Sequence, residues 1–146
     1  MKIFCDDFSE GVPISPIFTC EGKDKMPSIR FFEVPDNTLS LSLIVEDPDA
    51  PNGDFVHLIL INIPGDCAEI SEGKIPKGAI FLKNDFGVNG YKGPCPPSGV
   101  HRYFFKLFAL DIPLALDANA GKKEFREAIL GHILEKSSFF GLYSRQ

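Results

Sequence analysis

The sequence predicts a mainly β protein that carries one helix near its C-terminus. Three observations point there. Gly and Pro, 13 and 12 in number, recur every few residues through the first hundred positions and break that region into short extended pieces and turns. Three segments have the length and patterning of strands, and only one stretch, close to the end, carries the period of an amphipathic helix.

The first of these segments, "TLSLSLIVE", alternates with Leu39, Leu41, Leu43 and Val45 on one face and Ser40, Ser42, Ile44 and Glu46 on the other, the period of two expected of a strand. The second, "FVHLILINI" from Phe55 to Ile63, is apolar on both faces except at His57 and Asn62, which suits a central strand covered on both sides. Between them "DPDAPNGD" sets Pro48 and Pro51, which fix φ and remove donors, beside the turn pair Asn52-Gly53, and reads as a rigid hairpin connection. From Ile63 to Val100 periodicity is weak and the chain is loop-rich, a length of loop that in a compact domain usually carries function.

The third strand is "VHRYFFKLFAL". Alternation puts His101, Tyr103, Phe105, Leu107 and Ala109 on one face and Arg102 on the other. The segment "KKEFREAILGHILEK" repeats Phe125, Ile129 and Ile133 at intervals of four, predicting a C-terminal helix packed on the sheets with His132 at its edge.

At 146 residues the chain is expected to form one domain, residues 1–146, with room for a substantial core. Hydrophobic residues make up 44% and charged residues 24%, with 14 Phe and no Trp, a globular composition. The net charge of -5 and the scatter of the 15 Lys and Arg argue against nucleic acid and against an anionic membrane surface. No apolar run reaches the roughly 18 residues of a spanning helix. Asp6 and Asp7 interrupt any secretory leader, so a cytoplasmic location is expected. Cys5, Cys20, Cys67 and Cys95 are widely spaced with no C-x-x-C pair, and reduced structural thiols are the expectation.

Polar residues gather at the strand ends: Asp47 and Asp49, then His57, then His101 and Tyr103 after "GPCPPSG". Each has an ordinary role open to it. An apolar-strand histidine can be a hydrogen-bonded core residue, an aspartate before proline an Asx-turn, and a tyrosine a core residue with its hydroxyl at the rim. Their joint placement is the argument for a site. If the two strands flanking "DPDAPNGD" form an antiparallel hairpin, His57 comes within a few residues of Asp47. A carboxylate against that imidazole would fix its tautomer and raise its pKa. Arg102, facing away, is expected to form an ion pair that supports the loop.

"DPDAP" followed by the strand containing His57, and later "GPCPPSGVHRYFFKLFALD", resemble the two signature regions of the phosphatidylethanolamine-binding protein (PEBP) family, Raf kinase inhibitor-like, in its bacterial and archaeal branch. "SPIFTCEG", "NDFGVNGYKGPCPP" and "GHILEKSSFFGLY" extend the resemblance over nearly the whole chain. It implies a two-sheet antiparallel β-sandwich-like fold with peripheral helices and a small pocket for phosphate-type anions and phosphoethanolamine headgroups. Carried over by position, the pocket would use Asp47, His57, His101 and Tyr103, with Asp49 beside them and Pro96 and Pro97 shaping the wall. Leu58 and Phe31 stand where the branch commonly has Trp, which implies a differently shaped wall.

A carboxylate beside an anion needs a counterweight. Either a protonated histidine neutralises Asp47 and leaves N–H groups for the phosphate, or the ligand is a zwitterion whose ammonium meets Asp47 while its phosphate meets the histidines. The expected function is therefore non-enzymatic binding of a small phosphorylated or anionic group. The resemblance adds a regulatory role through a protein kinase or protease target. No cofactor is expected, and homodimerisation is left open. Two further classes are carried: a hydrolase using an Asp-His dyad with Ser98 or a water as nucleophile, and a metal site of His57, His101 and the two aspartates.

Overall fold

The computed structural model describes residues 1–146. Its elements in chain order are β1 (Lys2–Cys5), β2 (Ile29–Phe32), β3 (Ser40–Asp47), β4 (Phe55–Ile63), β5 (Glu69–Ile70), β6 (Ile80–Phe81), β7 (His101–Leu110), α1 (Lys122–Ile129) and β8 (Ile133–Tyr143). They form two antiparallel sheets, a three-stranded one in the order β1-β2-β5 and a five-stranded one in the order β6-β4-β3-β7-β8. The mainly β, two-sheet expectation holds. No helix is long and apolar enough to cross a membrane.

Layering follows from the strand patterns. Leu41, Leu43 and Val45 of β3 and Tyr103, Phe105, Leu107 and Ala109 of β7 face the small sheet and share a core with Ile3, Ile29, Phe31 and Ile70. Ile44 of β3 and Val56, Ile59 and Ile61 of β4 face the other way, onto Phe125 and Ile129 of α1 and onto Leu114. Both faces of the central strands are thus covered, which is why β3 and β4 carry almost no exposed position.

Strand β4 does not keep a simple period of two. Its pairing with β3 slips once between Val45↔Leu58 and Glu46↔Val56, and again between Leu41↔Ile63 and Leu43↔Leu60. Each slip is a β-bulge that adds one residue to β4. The extra residues fall at His57 and Asn62, the two polar interruptions of the apolar run. Asn62 takes a left-handed backbone, φ 56°, and its amide bonds both the N–H and the C=O of Leu114 at 2.8 and 2.9 Å, so the kink also anchors the chain entering the helical layer.

The C-terminal reading needs correction. The helix covers Lys122–Ile129 only, and residues 133–143 form a long edge strand against β7. Glu124 Oε1 accepts the Gly121 N–H at 2.9 Å and starts the helix. Gly131, at φ 79°, ends it in the conformation glycine adopts without strain. His132 therefore lies beyond the helix, where Nδ1 meets Asp111 Oδ1 at 2.8 Å. In β8, Phe139, Gly141 and Tyr143 are buried. A side chain at Gly141 would meet Ile14 at 2.5 Å, so close approach of residues 12–14 to the strand requires glycine there.

The thiol expectation is also corrected. Cys20 and Cys95 form a disulfide across 75 residues, with Cα atoms 5.5 Å apart. Sequence spacing carries no sign of it, because the pairing is made by two loops that meet only in the fold. Cys5 and Cys67 are free, and burial pushes the Cys5 thiol up to about 11.

Candidate functional site

The site lies where the inner face of β3, β4 and β7 runs out at one end of the large sheet. Asp47 is the last residue of β3, Phe55 opposite it the first of β4, and His101 the first of β7. Alternation gives Asp47 the same side as Val45 and Leu43, and His101 the same side as Tyr103 and Phe105. Strict alternation along β4 would turn His57 away from Leu58 and Leu60, towards the helical layer. The bulge at His57 removes that conflict: His57 and Leu58 both oppose Val45, and His57 joins Phe55 on the inner side.

These residues enclose a cavity of about 170 Å³, with Asp47, His57, His101 and Tyr103 as its polar lining and Phe55, Phe86, Pro51, Ala50, Cys95, Pro96 and Pro97 as the rest. The four polar residues are almost fully buried, between 1% and 7% exposed. His57 packs edge-on against Tyr103, Phe55 and Phe86, with ring centroids 5.3, 5.4 and 5.3 Å away.

The hydrogen bonds fix which nitrogen each imidazole offers. His101 Nδ1 donates to Asp47 Oδ2 at 2.6 Å, while the other oxygen of Asp47 accepts the Asp49 N–H at 2.8 Å. His57 Nδ1 donates to the Lys92 carbonyl at 2.6 Å. Neither Nε2 has a partner within the protein, and neither is sealed from solvent, so both open onto the cavity. Burial holds the His57 pKa below its ordinary value, opposed by the Lys92 carbonyl and the charge of Asp47. Burial, reinforced by Asp47, raises the Tyr103 hydroxyl well above its ordinary range and keeps it a donor.

The predicted residues are therefore brought together, with two changes of partner. The carboxylate of Asp47 meets the imidazole of His101 and not that of His57, and His57 loses basicity where a gain was expected. A backbone carbonyl across the pocket, unreadable from sequence, takes the place expected for Asp47. Asp49 does not line the cavity. It accepts from Arg102 through Nε, Nη2 and the backbone N–H, each at 2.9 Å, and this pairing depresses its carboxyl to about 2. Arg102 thus has the ion-pair role expected of it, with Asp49 as the partner. Leu58 and Phe31 lie in the core between the sheets and not in the cavity wall.

The wall that sequence reasoning missed comes from Phe55, Phe86, Ala50, Pro51 and Cys95. Phe55 was accessible through the hairpin, being opposite Asp47. Phe86 was not, because the loop that carries it is tied to β4 only in three dimensions, through Val56 N–H to Asp85 Oδ2 and Asn84 Nδ2 to the His57 carbonyl, at 2.8 and 3.2 Å. The proline segment is held beside the 18–24 loop by Tyr91 Oη to the Phe18 carbonyl, 2.6 Å, and Gly93 N–H to Asp24 Oδ1, 2.7 Å. A Cβ at Gly93 would collide with the Phe18 carbonyl. No group of three or more His, Cys, Asp or Glu side chains converges as metal ligands.

Comparison with known proteins matches residues 5–144 to a family model described as phosphatidylethanolamine-binding protein. A protein of Methanothermobacter thermautotrophicus named UPF0098 protein is 43% identical over 150 residues, covering 99% of both chains. One from Pyrococcus horikoshii is 46% identical over 139 residues, covering 88% of this chain and 69% of its own. Among solved structures, a Chlamydia trachomatis protein described as a phosphatidylethanolamine-binding protein homologue superposes with a TM-score of 0.93 at 35% identity, covering 99% of this chain and 97% of its own. E. coli YbcL, described as a member of the mammalian PEBP family, superposes with 0.94 at 27% identity, covering 99% and 98%.

Proposed function

The chain belongs to the phosphatidylethanolamine-binding protein family, and on that premise we propose that its pocket binds a small phosphate-type anion, free or as the headgroup of phosphoethanolamine, without turning it over. The observation that carries this reading is the pair of imidazoles whose Nδ1 atoms are committed to Asp47 and Lys92 while their Nε2 atoms open onto one cavity. Protonated, each Nε2 becomes a charge-assisted donor, and the Tyr103 hydroxyl supplies a third.

Size narrows the ligand. Pockets for drug-sized molecules run from roughly 300 to 1,000 Å³, and this one is about 170 Å³, which suits a headgroup rather than an acyl chain. Of the two ways to reconcile Asp47 with an anion, the geometry favours the first. Both carboxylate oxygens already accept from the protein, one of them from His101. Asp47 then acts on the anion through His101, and an ammonium group would compete for oxygens already in use.

Calorimetric titration with inorganic phosphate, phosphoethanolamine and ethanolamine tests this. Phosphate and phosphoethanolamine should bind and ethanolamine alone should not; heat from ethanolamine only would overturn the anion reading. A regulatory role, inhibition of a kinase or protease by direct binding, is the corresponding proposal for the protein surface. It rests on family membership, and loss of activity in a serine-protease or kinase panel would support it.

A second reading is favoured by one observation. Asp47 and His101 form the oriented half of a hydrolytic dyad. Ser98 lies outside the cavity lining, so a water would have to be the nucleophile. Turnover of a phosphate or carboxylate ester that disappears in Asp47→Asn would support the hydrolase over the binding module.

A further inference from the structure

The wall formed by Cys95, Pro96 and Pro97 is tied to the protein in an unusual way. Pro94, Pro96 and Pro97 have no N–H to give, and residues 95–99 lie outside all strands and helices. Besides the Cys20 N–H, which donates to the Pro94 carbonyl at 3.2 Å, the hydrogen bonds reaching this segment come from one side chain, Arg145: Nε to the Pro96 carbonyl at 3.0 Å and Nη2 to Cys95 Sγ at 3.1 Å. The other tie is covalent, the Cys20–Cys95 disulfide. Cys95 also lines the anion cavity.

We propose that the Cys20–Cys95 bond, with Arg145, is a redox latch on the pocket wall, closed when oxidised and loosened by a dithiol reductant. The proposal rests on the anion-binding reading for its effect on ligand, but not for the release of the wall.

The chemistry has a defined direction. Cys20 is exposed and Cys95 only partly so, so an incoming thiolate attacks Cys20 Sγ and forms a mixed disulfide there. The Cys20–Cys95 bond breaks and Cys95 leaves as a thiolate. The Arg145 guanidinium beside that sulfur stabilises the leaving charge, the electrostatic setting that makes a disulfide labile. The second thiol of the reductant then resolves the mixed disulfide. Two electrons and two protons pass to the protein, giving two cysteine thiols, and the reductant ends as its own disulfide. The wall then keeps only its hydrogen bonds, from Arg145 to Pro96 and Cys95 and from the Cys20 N–H to the Pro94 carbonyl, and the cavity loses the covalent tie of its wall.

The test compares the oxidised protein, the protein reduced with dithiothreitol, and the Cys20→Ser variant, each with and without Arg145→Gln. Two quantities are read: affinity for inorganic phosphate, and the backbone 15N heteronuclear NOE of Ser98, Gly99 and Val100 relative to β3. Reduction and Cys20→Ser should each weaken phosphate binding at least threefold and lower the NOE at Ser98–Val100 but not in β3. Arg145→Gln should add a larger loss to the reduced protein than to the oxidised one. A smaller change in affinity with an unchanged NOE overturns the proposal, as does loss of the near-ultraviolet signal on reduction, which would make the bond a staple of the whole fold. If no form binds phosphate, the binding reading fails, and the NOE at Ser98–Val100 alone decides the latch.

Discussion

Asp47 and His101, 54 residues apart, are joined by a 2.6 Å hydrogen bond from imidazole Nδ1 to carboxylate Oδ2, and both are almost fully buried. The bond closes the end of two neighbouring strands. It also sets the tautomer of His101, so that Nε2 is the atom left for a ligand.

Asp47→Asn keeps an oxygen that can accept from the His101 Nδ1–H but removes the charge behind it, so both folding and anion binding should weaken. A hydrogen bond to a charged group contributes about 1.5 to 3 kcal/mol to stability; stability should fall by up to that amount and phosphate affinity by roughly tenfold. A titration of the variant against the parent, with near-ultraviolet dichroism to verify the fold, checks this.

Binding should strengthen as pH falls. His57 has a pKa below its ordinary 6.5 because it is buried, so at neutral pH its Nε2 is an acceptor and must take up a proton to hold an anion. Sulfate, whose charge is constant over the range, should bind up to about tenfold more tightly per pH unit for one proton taken up. The gain should level off below the pKa of His57. Calorimetry in buffers of different ionisation enthalpy measures the proton uptake directly.

Stability should move in the opposite direction. A histidine whose folded pKa is depressed makes the unfolded state bind more protons, so stability is lost as pH falls below 6.5 towards the folded value. Asp49 adds a second window. Its pKa falls from 3.8 to about 2, chiefly through Arg102, so its contribution is present above 3.8 and lost as pH falls to 2. Arg102→Ala should remove that second window and lower stability only slightly, since solvent screens an exposed pair. Urea titrations at stepped pH resolve both windows.

Asn62→Ala should destabilise by about 2 kcal/mol or more, since it places alanine at positive φ and strands both backbone groups of Leu114. Phosphate affinity should not change, because this bulge lies at the far end of β4 from the cavity. Denaturant unfolding together with a phosphate titration separates the two effects.

Much of this was legible in the sequence, for a physical reason. β3, β4 and β7 are long, covered on one or both faces, and patterned accordingly, so their positions and the faces of Tyr103 and Phe105 could be read directly. His57 could be singled out because a polar residue in a buried run demands an explanation. Its partner could not be read. Strand alternation would have turned His57 away from the cavity, and only the bulge, a register feature set by pairing with β3, returns it. The same holds for Asn62, whose meaning is a left-handed backbone rather than a strand position. At the C-terminus, Ile133 continued the four-residue spacing of α1, and that coincidence hid Gly131 as a helix stop and β8 as a strand. The disulfide and Arg145 were invisible because loops distant in the chain make those contacts.

Anion binding in this cavity requires that His57 and His101 face one ligand. Side-chain NMR of the three histidines during titration with inorganic phosphate tests this most directly. The resonances of His57 and His101 should shift together along one binding curve while His132, paired with Asp111 outside the pocket, stays still. If His132 moves with them, or if neither pocket imidazole responds, the cavity at the end of β3, β4 and β7 is not the anion site.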